Sequence, residues 1–102
     1  MLRIVKLHIK PDQTEAFTKR FMAHKAKLLK MPGCQSVTLV CDQKVKNQFV
    51  TISEWRQETD LESYRDSALF LDVWRVVKPM FAAKAQVQNL EVISSDVFKV
   101  ST

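Results

Sequence analysis

His24, Tyr64, Trp55 and Trp74 are the side chains in this sequence best equipped to act on a small organic molecule. His24 falls with Phe17, Phe21, Leu28 and Met31 on one narrow arc at the 3.6-residue period of a helix, the only ionisable group in that apolar stripe. Burial there would hold the imidazole neutral at pH 7, ready to accept a proton. The same position also suits a core histidine bonded to a backbone carbonyl. Tyr64 offers a phenolic hydroxyl and Trp55 a donor-only indole N–H, either of which could donate to a substrate oxygen or simply fill space. Apolar walls with a few convergent polar groups make a ligand pocket. His24, Tyr64 and Trp55 are therefore the candidate catalytic residues, with Phe17, Phe21, Leu28, Trp74 and Asn89 as candidate substrate contacts and His8 as a weaker one.

The elements that must position these groups follow from the hydrophobic pattern. Leu2 to Ile9 reads as a strand whose odd positions Val5, Leu7 and Ile9 are apolar, closed by Pro11. Asp12, three residues before Glu15, reads as an N-cap with its capping partner, opening a helix that runs to about Lys30 and stops at Pro32-Gly33. The β-branched and aromatic runs 34–41 and 48–56 flank a polar loop and predict an antiparallel hairpin. Asp60 reads as the N-cap of a second helical region reaching Lys78. Its apolar phase slips near Ser67, with Leu61, Tyr64 and Ala68 on one stripe and Phe70, Val73, Trp74 and Val77 on another, which predicts a bend or two helical pieces. Gln86 to Val100 alternates as a long last strand. The order βαββαβ predicts an α+β, ferredoxin-like domain over residues 1–102, with a four-stranded antiparallel sheet covered by helices on one face. The other face, carrying Ile4, Val40, Val50 and Ile52, needs cover, and a second copy of the same sheet is the simplest.

Composition removes several function classes. The 102 residues suit one domain. A single glycine leaves no glycine-rich phosphate loop. Nowhere do ~18 apolar residues run together, and the N-terminus lacks the apolar core of a signal peptide, so a cytoplasmic protein with no membrane partner is expected. Cys34 and Cys41, placed on opposite faces of one strand and roughly 23 Å apart, cannot bridge and read as buried thiols. No zinc-ligand spacing involves them, His8 or His24, so no metal is expected. The net charge of +5 comes partly from Lys19, Arg20, Lys25, Lys27 and Lys30, which helical spacing scatters over the polar side of the first helix. An RNA-recognition domain shares the element order, but the third strand lacks the basic-glycine-aromatic signature, so no nucleic-acid partner is expected.

The sequence also resembles a known family. The first strand before Lys10-Pro11, the helix with Glu15, Phe17 and Phe21, and the Met31-Pro32-Gly33-Cys34 exit all match its order. So do the Glu54-Trp55 strand end and the Tyr64, Ser67, Phe70 spacing. Together these are similar to the antibiotic biosynthesis monooxygenase (ABM) family, whose members share a ferredoxin-like fold and pair as a dimeric α+β barrel. The resemblance implies a homodimer. For the quinol-oxidising members it implies oxygenation of a phenol, quinol or anthrone by O2 without metal or flavin, with His24 as base and Tyr64 and Trp55 as donors. The haem-degrading branch uses a strand-1 Asn, a second-helix Trp and a His ligand, and those positions hold Val5, Tyr64 and Trp74 here. The ligand histidine is missing, so no cofactor is expected. A mutarotase or lactone isomerase on the same scaffold, or a ligand-binding dimer without catalysis, are the other readings.

Overall fold

The computed structural model describes residues 1–93. Strand β1 (Leu2–His8) leads through a 3-10 turn at Pro11–Gln13 into helix α1 (Thr14–Leu28). Strands β2 (Cys34–Cys41) and β3 (Gln48–Trp55) form the hairpin, helices α2 (Glu58–Arg65) and α3 (Ala68–Val77) follow, and β4 (Gln86–Leu90) closes the sheet. The sheet is antiparallel with strand order β2-β3-β1-β4, the ferredoxin-like arrangement the alternation of elements predicts.

Residues facing the helices are set by register. Val5 pairs with Thr51 and Val87, and Leu7 with Phe49, so these side chains point to the helices with Phe17 and Phe21 of α1. The opposite face presents Ile4 beside Ile52 and Val40 beside Val50. Val40 is 41% exposed there, so the apolar row on this face is open in the single chain.

The core has two parts. Leu7, Ile9, Phe17 and Phe49 gather with Val73 and Val77 of α3. Phe21, Leu28, Val37 and Trp55 gather with Leu61 and Tyr64 of α2. The break between the helices falls where the apolar phase slips. The Ser67 hydroxyl accepts from Phe70 N–H at 3.2 Å and donates to the Tyr64 carbonyl, ending one helix and capping the next.

Five local expectations are corrected. Asp12 lies within the 3-10 turn that Pro11 begins, and α1 starts at Thr14 with no side-chain cap. Asp60 is inside α2, whose N-cap is Gln57; its carboxylate instead packs against Gly33 and pairs with Arg56 at 3.5 Å. Gly33 needs its φ of +82°, a conformation side chains rarely adopt, to turn the chain out of α1 into β2. A bulge between Cys34 and Ser36 shifts the β2 register, so Cys34 opposite Trp55 and Cys41 opposite Phe49 lie on the same face. Cys41 is exposed at the hairpin end, and Cys34 is half-buried. Finally, β4 stops at Leu90 because that residue already pairs with Leu2, the first residue of β1. The expected strand residues 94–100 lie outside the described residues.

Candidate active site

Between the sheet and the helices lies a cavity of about 490 Å³ that touches both halves of the core. Its walls are mostly apolar: Val5 and Leu7 from β1, Phe17, Phe21 and Leu28 from α1, and Phe70, Val73, Trp74 and Val77 from α3. Phe81 and Ala85 continue the wall toward β4, whose Val87 borders the cavity at the exposed edge of the sheet. Its polar lining is concentrated in Arg3, His24, Thr51, Ser53, Tyr64 and Arg65, with Lys78 and Lys84 at the end of α3 and beyond.

Two candidates forty residues apart in sequence meet here. Nε2 of His24 and the Tyr64 hydroxyl lie 2.7 Å apart, and both residues are 7% exposed. The bond takes either of two forms. In the Nδ1–H tautomer the tyrosine hydroxyl donates to Nε2; in the other, Nε2–H donates to the tyrosine oxygen and frees the hydroxyl proton for a ligand.

The electrostatics keep both groups neutral. Burial, helped by the positive charges of Arg20 and Lys27, pushes His24 down from 6.5 to about 4. Burial also pushes the Tyr64 phenol well above its ordinary value, an effect that Arg3 partly opposes. Arg3 therefore lies close enough for its charge to favour an oxyanion at the tyrosine hydroxyl. Its own guanidinium is lowered by burial and by repulsion from Arg65.

The remaining candidates take different places. Trp55 is 1% exposed and is not part of the cavity wall; its indole N–H donates to Ser53 Oγ at 2.9 Å, and its ring stacks on Tyr64 at 5.4 Å. It thus fixes the tyrosine ring from behind. Trp74 lines the cavity, stacked on Phe70 at 5.8 Å, and Phe70 meets Tyr64 edge-on at 5.2 Å. Asn89 is exposed and reaches the site only through Arg3, whose Nη1 donates to Asn89 Oδ1 at 3.4 Å. His8 sits on the far face of the sheet, paired with Gln48.

Sequence reasoning missed Arg3, Ser53 and Arg65. Arg3 is two residues before Val5 on the same face of β1, and Ser53 is two before Trp55 on β3, so the period-2 rule places both beneath the helices. Arg65 follows Tyr64 at the end of α2 and offered no such signal.

Among the described residues no group of three or more His, Cys, Asp or Glu side chains is placed to hold a metal ion. No described helix is long and apolar enough to cross a membrane.

These features define a ferredoxin-like α+β domain with a largely apolar cavity and a neutral imidazole–phenol pair in its wall. A family model described as "Antibiotic biosynthesis monooxygenase" matches residues 1–75, and the chain belongs to that family. Solved structures share the fold. A Nitrosomonas europaea protein bearing the family's name superposes with a TM-score of 0.85 at 18% identity, covering 91% of this chain and 98% of its own. One from Caulobacter crescentus gives 0.86 at 17%, covering 91% and 89%. A Pseudomonas aeruginosa protein gives 0.81 at 22%, covering 91% and 93%. No curated protein matches the chain significantly.

Proposed function

We propose that this protein is a cofactor-independent monooxygenase of a small electron-rich aromatic, a phenol, quinol or anthrone, working as a homodimer. The carrying observation is the His24–Tyr64 pair at 2.7 Å in the wall of an otherwise apolar cavity. Family membership supports the reaction class, and the lining suits a flat apolar ligand.

For a phenol with a free para position the reaction balances without a cofactor. The phenol loses its proton, the anion gives one electron to O2, and the resulting radical pair joins to form a C–O bond. Loss of water from the hydroperoxide leaves a quinone, so the substrate supplies all four electrons and one oxygen atom departs as water. The protein supplies a proton acceptor, donors for the oxyanion and a water-poor space.

His24 is the proton acceptor in this scheme, reached through Tyr64: the tyrosine oxygen takes the substrate proton as its own passes to Nε2. The energetics set a condition. With His24 at about 4 and an ordinary phenol at ~10, the transfer in the empty site is uphill by ~8 kcal/mol. A turnover of ~10 s⁻¹ allows a total barrier of ~16 kcal/mol, so the step is affordable only if the anion is stabilised where it forms. Arg3 contributes in that direction, since its field already favours negative charge at the Tyr64 oxygen. The substrate anion would in turn raise His24 and narrow the gap.

Ile4, Val40, Val50 and Ile52 on the uncovered sheet face support the homodimer, because pairing two such faces removes the apolar row from water.

The test is oxidation of an anthrone or quinol followed by absorbance under air and under argon. Oxygen-dependent acceleration over autoxidation, reduced ~10²-fold or more in Tyr64→Phe and His24→Gln, is expected. Wild-type protein that does not exceed the autoxidation rate with any of these substrates overturns the proposal.

A further inference from the structure

Among the described residues the cavity lining contains four cationic side chains, Arg3, Arg65, Lys78 and Lys84, and no aspartate or glutamate. The two ion pairs among the described residues, Lys19–Glu15 and Arg56–Asp60, involve none of the four. Among the described residues the Arg3 side chain donates only to a neutral amide, Asn89, in a long contact of 3.4 Å. It is half-buried on the helix-facing side of β1, opposite Ser53 on β3. Arg65 follows Tyr64 directly and lies at the exposed end of α2.

A simple solubility role fits poorly. A surface cation gains by pointing into water, whereas Arg3 gives up hydration at the wall of an apolar cavity with a second guanidinium nearby and, among the described residues, no carboxylate paired with either. Desolvation and like-charge repulsion both act against its charged form. An anion in the cavity removes both penalties, and two planar donor forks suit a carboxylate better than a point charge would.

We infer that the ligand of this cavity is an aromatic acid, its ring system against Phe70, Val73 and Trp74 and its carboxylate held by Arg3 and Arg65. This rests on the cavity being the substrate site proposed above and narrows the substrate from aromatics in general to anionic ones. The carboxylate would fix which edge of the ring faces Tyr64. Specificity between otherwise similar aromatics would then come from the charged end, since apolar contacts discriminate weakly.

Calorimetric titration with two redox-inert probes of nearly equal shape, 2-naphthoate and 2-naphthamide, reads this without turnover. The acid should bind about tenfold or more tightly than the amide, and the preference should shrink as salt is raised. Arg65→Gln, on an exposed helix end where folding is not at risk, should remove most of that preference and leave the amide's affinity unchanged. Arg3→Met, which keeps the apolar stem, should do the same if the sheet tolerates it. Equal binding of acid and amide overturns the inference while leaving the cavity as a substrate site. A preference that survives both substitutions also overturns it. Failure of both probes to bind at millimolar concentration removes the cavity as the site, and the functional proposal falls with it.

Discussion

Replacing His24 by Gln should flatten the dependence of stability on pH between about 4 and 6.5. In the folded chain the imidazole is held at about 4 instead of 6.5, chiefly by burial and secondarily by Arg20 and Lys27. The unfolded chain therefore takes up a proton as pH falls through 6.5, while the folded chain does not until about 4. Stability contributed by the neutral imidazole is thus fully present above 6.5, declines through the window, and is exhausted below about 4. At 1.36 kcal/mol per tenfold the whole effect is ~3 kcal/mol, and ~2–3 kcal/mol at physiological salt, because Arg20 and Lys27 are exposed and their share is screened. Glutamine has no titration but can place a side-chain amide group near the position of Nε2, so Tyr64 keeps a partner. Urea unfolding of both proteins at pH 7.5 and 4.0, at one protein concentration, is the assay, and carboxylate titration common to the two cancels in the difference. Wild type should lose ~2–3 kcal/mol more than the variant over that range. Parallel pH profiles, or an NMR titration placing His24 near 6.5, would refute the reasoning.

Other expectations follow from the same contacts. In an oxygenation assay kcat/KM should stay flat from pH 7.5 to 5 and fall toward 4 as His24 protonates; a fall centred near 6.5 would exclude His24 as the acceptor. Tyr64→Phe leaves a buried imidazole nitrogen without its partner and should cost ~1–3 kcal/mol in denaturant unfolding. Gly33→Ala should cost roughly 2 kcal/mol or more by the same measurement, because the added methyl meets the Asp60 carboxyl and the φ of +82° is strained for alanine. Light scattering of wild type at micromolar concentration should give a dimer and Val50→Glu a monomer; a monomeric wild type would end the dimer proposal.

Much of the site was legible because periodicity is a local property. His24 in the stripe of α1, Tyr64 on α2 and the phase slip at Ser67 are each fixed by neighbours within two helical turns, and all appear as expected. That His24 and Tyr64 would bond to each other was not legible, since the contact spans 40 residues and depends on how α1 and α2 cross the sheet. Trp55 shows a different limit. Its position on β3 was correct, but whether its N–H would face a ligand or Ser53 depended on the neighbouring rotamers. The misassigned caps at Asp12 and Asp60 share one cause. Each acid stands near a helix start, but Pro11 delays the first helix and the Gly33 turn recruits the second carboxylate. The β2 bulge, which brings Cys34 and Cys41 to one face, leaves no mark in the alternation of side chains.

The Ser67 break divides labour within the cavity. Tyr64 belongs to the helix packed in one half-core, with Trp55, Leu61 and Phe21, whereas Val73 and Val77 anchor the next helix in the other half, with Leu7, Ile9 and Phe17. An unbroken helix would couple the two, so that any residue inserted or resized on the α3 wall of the cavity would rotate or shift the phenol as well. With the chain interrupted and recapped at Ser67, the wall built by Val73, Trp74 and Val77 can be resculpted while the imidazole and phenol keep their 2.7 Å separation. The seam between the half-cores is then a place where the shape of the cavity can drift under selection, or be redirected by design, without rebuilding the imidazole–phenol pair.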